Sequence, residues 1–251
     1  MAVMAVRVPD AGIKNYAAYS DDDGLTWQVS NKAIDGGDEA KVVELDNGDI
    51  LMSTRTGGNR LWTKSADRGV NWSPQSSWTE IWGNACDADI VRYTSTTDGY
   101  EKSRLLHTLP NASDRRNLTM WMSEDEGTTW PVKKTICPGT SAYSSVTILP
   151  DGTIGVYFEE DGSNAYTMTF VNFSLNWLTS GTDSYQNSPA KAYRTKKSGN
   201  WSETGNWEVA THTAVWVTPT RQPTHQSPAI TVAATHELTI DNAATADVLT
   251  V

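Results

Sequence analysis

Residues 20–27 read Ser-Asp-Asp-Asp-Gly-Leu-Thr-Trp, and this stretch returns as Ser-Ala-Asp-Arg-Gly-Val-Asn-Trp at 65–72 and as Ser-Glu-Asp-Glu-Gly-Thr-Thr-Trp at 123–130. The shared pattern is Ser-x-Asp-x-Gly-x-Thr/Asn-Trp, and each copy follows a stretch with the composition of a β-strand. An Asp side chain can accept hydrogen bonds from backbone N–H groups two residues further on, and Gly supplies a positive φ. The repeat therefore predicts a hairpin loop whose Trp packs beside the hairpin, which is a structural role.

The composition indicates an all-β fold. Gly, Asn, Asp, Ser and Thr are abundant, the chain has 11 Trp but only 3 Phe, and amphipathic helical periodicity is hard to find. The repeats start 45 and then 58 residues apart, which suits one repeat for each four-stranded blade of a β-propeller. A chain of 251 residues is long enough for one sizeable domain, or for a domain with an appendage.

The charge and the apolar runs limit the function classes. A net charge of −10 argues against nucleic acid as a partner, because phosphates require basic patches. No stretch is apolar enough to span a bilayer, and the N-terminus does not read as a signal peptide. Cys86 and Cys137 are compatible with one disulfide or with two buried thiols, and neither lies in a metal-binding cluster. We expect no metal and no cofactor.

Three further segments resemble bacterial-type exo-α-sialidases, whose propellers carry such repeats under the name of Asp boxes or BNR repeats. Residues 39–55 resemble the segment in which a catalytic Glu leads into a strand pair that ends in Arg, although Ser-Thr replaces the commoner Asn-x before that Arg. Residues 115–118, Arg-Arg-Asn-Leu, match the family's Arg-x-x-Leu/Met. Residues 142–159 are the most diagnostic, running from Ala-Tyr-Ser through Leu-Pro-Asp-Gly to Phe-Glu. Without the family, they predict a β-hairpin around Pro-Asp-Gly.

The resemblance implies a division of the chain. Residues 1–178 are expected to form the C-terminal blades of a six-bladed sialidase-type propeller. A polar linker follows at 179–198, and residues 199–251 form a short β-rich module of unknown type. Alternation at 229–232 and 237–240 predicts strands in that module.

The resemblance also assigns roles to five residues. Tyr143 is expected to be the nucleophile and Glu39 its base, while Arg55 and Arg115 bind the carboxylate of the substrate. Glu159 corresponds to the residue that holds the first of the family's three substrate arginines. A neutral tyrosine suits sialic acid, because a carboxylate nucleophile would be repelled by the carboxylate on the anomeric carbon.

Two catalytic residues of the family have no counterpart in this sequence, namely the first arginine and the Asp that acts as general acid/base. Arg7 in Arg-Val-Pro imitates the arginine motif but lies only 32 residues before Glu39, so we interpret it as a strand residue. We therefore expect little or no activity from this chain alone. The resemblance implies an enzyme acting on sialylated glycoconjugates, with a full-length parent that is secreted or at the cell surface. The alternatives are a non-catalytic propeller that binds glycans or proteins, and a trans-sialidase.

Overall fold

A computed structural model of the chain describes residues 1–98, 100–160, 167–185, 192–210, 216–219, 222–223, 229–241 and 249–250. The chain divides into two compact units. The first contains Met1–Tyr93 and Arg104–Tyr185, and the second contains Thr94–Ser103 and Gln186–Val251. Strands dominate both units, so the all-β prediction is confirmed.

The first unit contains four sheets that follow one another along the chain. In the second and third sheets four consecutive strands pair in chain order, and in the fourth sheet three do so. In the first sheet the second strand pairs with three others. The strands are β1 (Ala2–Val8), β2 (Gly12–Tyr19), β3 (Gln28–Val29) and β4 (Ile34–Asp35); β5 (Ala40–Glu44), β6 (Ile50–Thr54), β7 (Gly58–Ser65) and β8 (Ser76–Gly83); β9 (Ile90–Thr94), β10 (Arg104–Pro110), β11 (Arg116–Ser123) and β12 (Val132–Thr140); and β13 (Ser144–Ile148), β14 (Ile154–Glu159) and β15 (Met168–Phe173), followed by the one-turn helix α1 (Leu175–Leu178).

The three repeats form the turns β2–β3, β7–β8 and β11–β12. In the third, Ser123 Oγ accepts the N–H of Gly127 at 2.9 Å and Asp125 Oδ1 accepts the N–H of Thr129 at 2.8 Å. Glu126 and Gly127 have positive φ angles of 58° and 76°. The same bonds recur in the other two repeats. The predicted hairpin loop is confirmed, but Asp reaches an N–H group four residues on, because the Ser hydroxyl already occupies the N–H of Gly.

Tryptophans join neighbouring sheets of the first unit. Trp78 on β8 is buried, meets Trp130 edge to face at 5.3 Å, and donates its indole N–H to the carbonyl of Gly127 at 2.7 Å. Because Trp130 closes the third repeat, this contact fixes that turn against the second sheet. In the first repeat Trp27 is 55% exposed, and its indole N–H donates to the carbonyl of Gly24 within the same turn.

The second unit is built around two tryptophans. Trp201 and Trp207 are buried with ring centroids 4.9 Å apart, and the indole N–H of Trp207 donates to the carbonyl of Trp201 at 3.0 Å. The strands predicted at 229–232 and 237–240 are present, and the stretch predicted as a linker, 179–198, contains a strand of this unit. The strands are β16 (Ala192–Thr195), β17 (Gly199–Asn200), β18 (Trp207–Ala210), β19 (Trp216–Val217), β20 (Ala229–Thr231), β21 (Leu238–Thr239) and β22 (Leu249–Thr250), with 3-10 turns at Thr96–Asp98 and Thr204–Asn206.

Candidate active site

The hairpin of β5 and β6 places Glu39 beside Arg55. The backbone N–H of Arg55 donates to the carbonyl of Glu39 at 2.7 Å, just beyond the last strand pair. The opposite end of the hairpin is closed by a tight turn in which Gly48 has a φ of 86° and donates to the carbonyl of Leu45. The register therefore follows from local turn geometry, and it brings the two charged side chains together at the open end.

A second hairpin, β13 and β14, places Tyr143 beside Glu159 in the same way. The N–H of Glu159 donates to the carbonyl of Tyr143 at 3.0 Å, and Gly152 closes the predicted Pro-Asp-Gly turn with a φ of 80°. The Glu159 carboxylate also accepts the backbone N–H of Tyr143 at 3.3 Å. Glu159 therefore holds the backbone from which the tyrosine side chain extends.

The two hairpins bring their side chains into one cluster. The Tyr143 hydroxyl donates to Glu39 Oε1, across 104 positions of sequence. Arg55 Nη1 lies 2.5 Å from Glu39 Oε2 and 2.8 Å from the Tyr143 hydroxyl oxygen. Carboxylate, phenol and guanidinium thus form a triangle of hydrogen bonds. All three side chains are partly exposed, so the triangle is open to a ligand.

The structure distinguishes the two adjacent arginines of 115–118. Arg115 lies with its guanidinium carbon 5.4 Å from the centre of the Tyr143 ring. Its carbonyl accepts the N–H of Ser141, two residues before that tyrosine. Arg116 instead pairs with Asp114, and both of those side chains are more than half exposed. The geometry places Arg115 at the cluster, in the register expected from the sequence.

The charges of the cluster are set by burial and by mutual hydrogen bonds. Burial raises the pKa of Tyr143, and the neighbouring Glu39 carboxylate raises it further. Burial opposes ionisation of Glu39, but the hydrogen bonds from Arg55 and Tyr143 outweigh it and hold the pKa of Glu39 below its ordinary value. The cluster therefore pairs a neutral phenol with an ionised carboxylate, which is the arrangement of a weak nucleophile and its base.

Sequence reasoning missed a set of buried polar side chains behind this cluster. Arg60, His107 and Ser53 are 0%, 0% and 1% exposed. Arg60 Nε donates to Ser53 Oγ at 3.1 Å, and Ser53 Oγ lies 2.8 Å from His107 Nε2. The available signal was positional: Ser53 lies two residues before Arg55, and a lone arginine occupies the next strand.

The cysteines of the chain are both free. Cys86 is buried, and burial raises the pKa of its thiol to about 11, so it carries no thiolate near neutral pH. Among the residues that the structure describes, no group of three acidic, His or Cys side chains could hold a metal ion. Within the same residues, every helix is too short or too polar to cross a membrane.

Comparison with known proteins identifies the family of this chain. The family described as BNR repeat-like domain matches residues 3–156. The chain belongs to this family. The repeats read from the sequence are therefore genuine BNR repeats, and the matched stretch covers most of the first unit.

The relatives of this BNR repeat-like chain include bacterial sialidases. It is 34% identical over 168 residues to a sialidase of Micromonospora viridifaciens, which covers 64% of this chain and 25% of that protein. It is 30% identical over 178 residues to a sialidase of Bacteroides fragilis strain YCH46, covering 68% and 31%. The solved structure of a Hadza microbial sialidase matches with a TM-score of 0.58 at 29% identity, covering 66% of this chain and 33% of that one.

These matches confirm the predicted fold class. The sheets of the first unit are blades of a sialidase-type β-propeller, and the β-rich second unit follows them. The chain spans about a quarter to a third of the length of these relatives.

Proposed function

We propose that this chain is part of a retaining exo-α-sialidase, which removes terminal sialic acid from glycoconjugates through the nucleophile Tyr143 and its base Glu39. The observation that carries the proposal is the hydrogen bond between these two side chains, which the fold brings together from distant positions. The similarity to proteins named sialidases supports the substrate class.

The proposed first step is a displacement at the anomeric carbon. The Tyr143 oxygen forms a bond to that carbon, the bond to the leaving-group oxygen breaks, and the phenolic proton passes to Glu39. A general acid must protonate the leaving group, and the family's Asp for this task was not found in the sequence. Water then attacks the same carbon as the bond to the Tyr143 oxygen breaks. The tyrosine oxygen takes back the proton held by Glu39, and the proton lost by the water passes to the conjugate base of the general acid. Two displacements at one carbon give retention of configuration.

The arginines are proposed to bind the carboxylate of sialic acid. Guanidinium groups form planar, charge-assisted and often bidentate hydrogen bonds with carboxylates. Arg55 and Arg115 both lie within 6 Å of the Tyr143 ring centre, at 5.9 and 5.4 Å, so a carboxylate bound between them would lie beside the nucleophile. Glu159 is proposed to hold the family's first arginine, which was not found in the sequence. Its contact with the backbone of Tyr143 gives it a second task.

The partners and the location follow from the same proposal. Sialylated glycoconjugates would be the substrates, and the full-length parent would act outside the cell or at its surface. We propose that the 251-residue chain alone hydrolyses natural sialosides little or not at all, because their leaving groups require a general acid.

A reagent that needs no general acid tests the assignment on this chain. Sialosyl fluoride with a second fluorine at C3 carries a leaving group that departs without full protonation, and the C3 fluorine slows hydrolysis of the adduct. We expect mass spectrometry to find one sialosyl group on the peptide that contains Tyr143. The adduct should be absent in Tyr143→Phe and present in the control Tyr157→Phe, which changes an exposed tyrosine on β14.

The possible outcomes separate the two candidate functions. An adduct on another residue, or none at concentrations that saturate binding, would overturn the role of Tyr143. Binding of sialic acid without any adduct would favour the non-catalytic glycan-binding propeller.

A further inference from the structure

Arg60 on β7 is a fully buried cation close to the Tyr143–Glu39 pair. Arginine is seldom fully buried unless it is paired. Here Nε donates to Ser53 Oγ at 3.1 Å and Nη1 to the carbonyl of Cys86 at 2.9 Å. Nη2 has no hydrogen-bond partner among the described residues, and no carboxylate in that part of the chain lies within salt-bridge distance of Arg60. Its positive charge is therefore unpaired in the core.

An unpaired charge in the core is costly, so nearby charges must compensate for it. Burial lowers the pKa of Arg60 to about 10, and the negative charges of Asp87 and Glu39 act in the opposite direction. Even at that value the guanidinium remains protonated near neutral pH. The neighbouring His107 adds no second positive charge, because burial and Arg60 itself hold its pKa well below the ordinary value.

The contacts of Arg60 lead to the site along two routes. Ser53 lies on β6, whose end carries Arg55, and that residue bonds to Glu39 through both backbone and side chain. Cys86 lies in the segment that connects β8 with β9. The Arg60 guanidinium therefore links β6, whose end carries Arg55, to the segment that connects β8 with β9.

We propose that Arg60 is a positioning residue for the Tyr143–Glu39 pair, which fixes the end of β6 and supplies a buried positive charge that adds to the hydrogen bonds from Arg55 and Tyr143 in stabilising the Glu39 carboxylate. The inference rests on the proposed role of Glu39 as a base. Among the described residues, the charged and titratable groups that interact with Arg60 include Asp87, Cys86, Glu39, Arg55 and His107, and those that interact with Glu39 include Arg55, Tyr143 and Arg60.

The test is a pH titration of Glu39 in the 251-residue chain, monitored by the NMR signal of its carboxyl carbon. Arg60→Met removes the charge with little loss of volume and should raise the pKa of Glu39, because a nearby positive charge favours the carboxylate. Arg60→Lys keeps the charge and should restore most of that shift. The matched control is Arg92→Met, which removes a partly buried arginine that pairs with Glu126 instead. It should lower stability and leave the titration of Glu39 in place.

A role in packing alone would give another result. If Arg60→Met folds and Glu39 titrates as in the wild type, or if Arg60→Lys behaves like Arg60→Met, the proposal is overturned. Should Arg60→Met fail to fold, the wild-type chain still decides. The Nε–H resonance of Arg60 should shift with the midpoint of Glu39, and that transition should vanish in Glu39→Gln. A resonance that ignores Glu39 overturns the proposal.

These outcomes are independent of sialidase activity. If Tyr143 forms no adduct but Glu39 responds to Arg60, the proposed function fails and the electrostatic coupling stands. If the adduct forms and Glu39 ignores Arg60, the proposed function stands without this positioning residue.

Discussion

The BNR repeats and the candidate active site both hold a carboxylate by hydrogen bonds that lower its pKa, but they assemble it in different ways. Asp67 in the second repeat bonds to Ser65 and to Asn71, all within four residues of itself. Glu39 bonds to Tyr143 across 104 residues. One carboxylate needs only its own turn, and the other needs two sheets in their final positions.

The difference explains why the repeats indicate fold and the cluster indicates function. A contact within a turn closes a very short loop, so a few residues suffice for it and it can recur in many proteins. A local hairpin places Glu39 beside Arg55, but Tyr143 reaches them only when the blades are packed. The repeats are therefore compatible with a propeller of any activity, whereas the cluster supports the activity proposed above.

Removing the proposed nucleophile should have the largest effect and should separate function from stability. Tyr143→Phe deletes one hydroxyl at a partly exposed position, so we expect the thermal unfolding midpoint to change little. Reaction with sialosyl fluoride should fall about 1,000-fold or more, because no other phenol hydroxyl donates to Glu39 among the described residues. Fluoride release and calorimetry measure the two quantities. A large loss of stability with the reaction retained would mean that Tyr143 stabilises the fold and does not carry the reaction.

Two tryptophans test whether the repeats differ among themselves. Trp130 is 2% exposed and packs on Trp78 and His107, so Trp130→Ala should lower the free energy of unfolding by about 3–5 kcal/mol. Trp27 occupies the same position of the first repeat but is 55% exposed, so Trp27→Ala should cost less than about 1 kcal/mol. Denaturant unfolding of both variants measures this. Equal losses would mean that the turn itself, and not packing between sheets, sets the stability of a repeat.

The carboxylate of a repeat should titrate far into the acid range. Hydrogen bonds from Asn71 and Ser65 lower the pKa of Asp67 to about 2. A lowered pKa means that the stabilisation is complete above the ordinary Asp value and is lost as the pH falls through about 2. NMR titration of the Asp67 carboxyl carbon should give that midpoint. Asn71→Ala removes one side-chain bond and should move the midpoint upward, while the backbone bond keeps it below the ordinary value.

The pH dependence of the reaction at the site should be a smaller effect than those described above. It should depend on residues that lie far apart in the sequence. The pKa of Glu39 is lowered, so the carboxylate form persists below the ordinary Glu value and is lost only as the pH falls through the lowered one. Reaction of Tyr143 with sialosyl fluoride should decline on the acid side at that midpoint. Arg55→Lys should move the midpoint upward. If the acid decline lies above the ordinary Glu value, Glu39 is not the group that controls it.

Part of this protein could be predicted from its sequence. The turns of the repeats, the Pro-Asp-Gly hairpin and the all-β class follow from residues close together in the chain, because a turn is decided by which residues tolerate positive φ and which side chains can bond to nearby backbone. The five candidate site residues were named through resemblance to a family, and that step used order and spacing rather than contacts.

Only the tertiary structure decided which side chains meet. It put Arg115 against Tyr143 and turned Arg116 towards Asp114. It also buried Arg60 behind Glu39, which no local pattern predicts. A strand's alternation tells which residues share a face, but the partner of a buried charge is set by which sheets pack together. The sequence alone therefore determined the turns and the class of fold, whereas the packing of whole blades decided the site, because its charges interact across more than 100 residues.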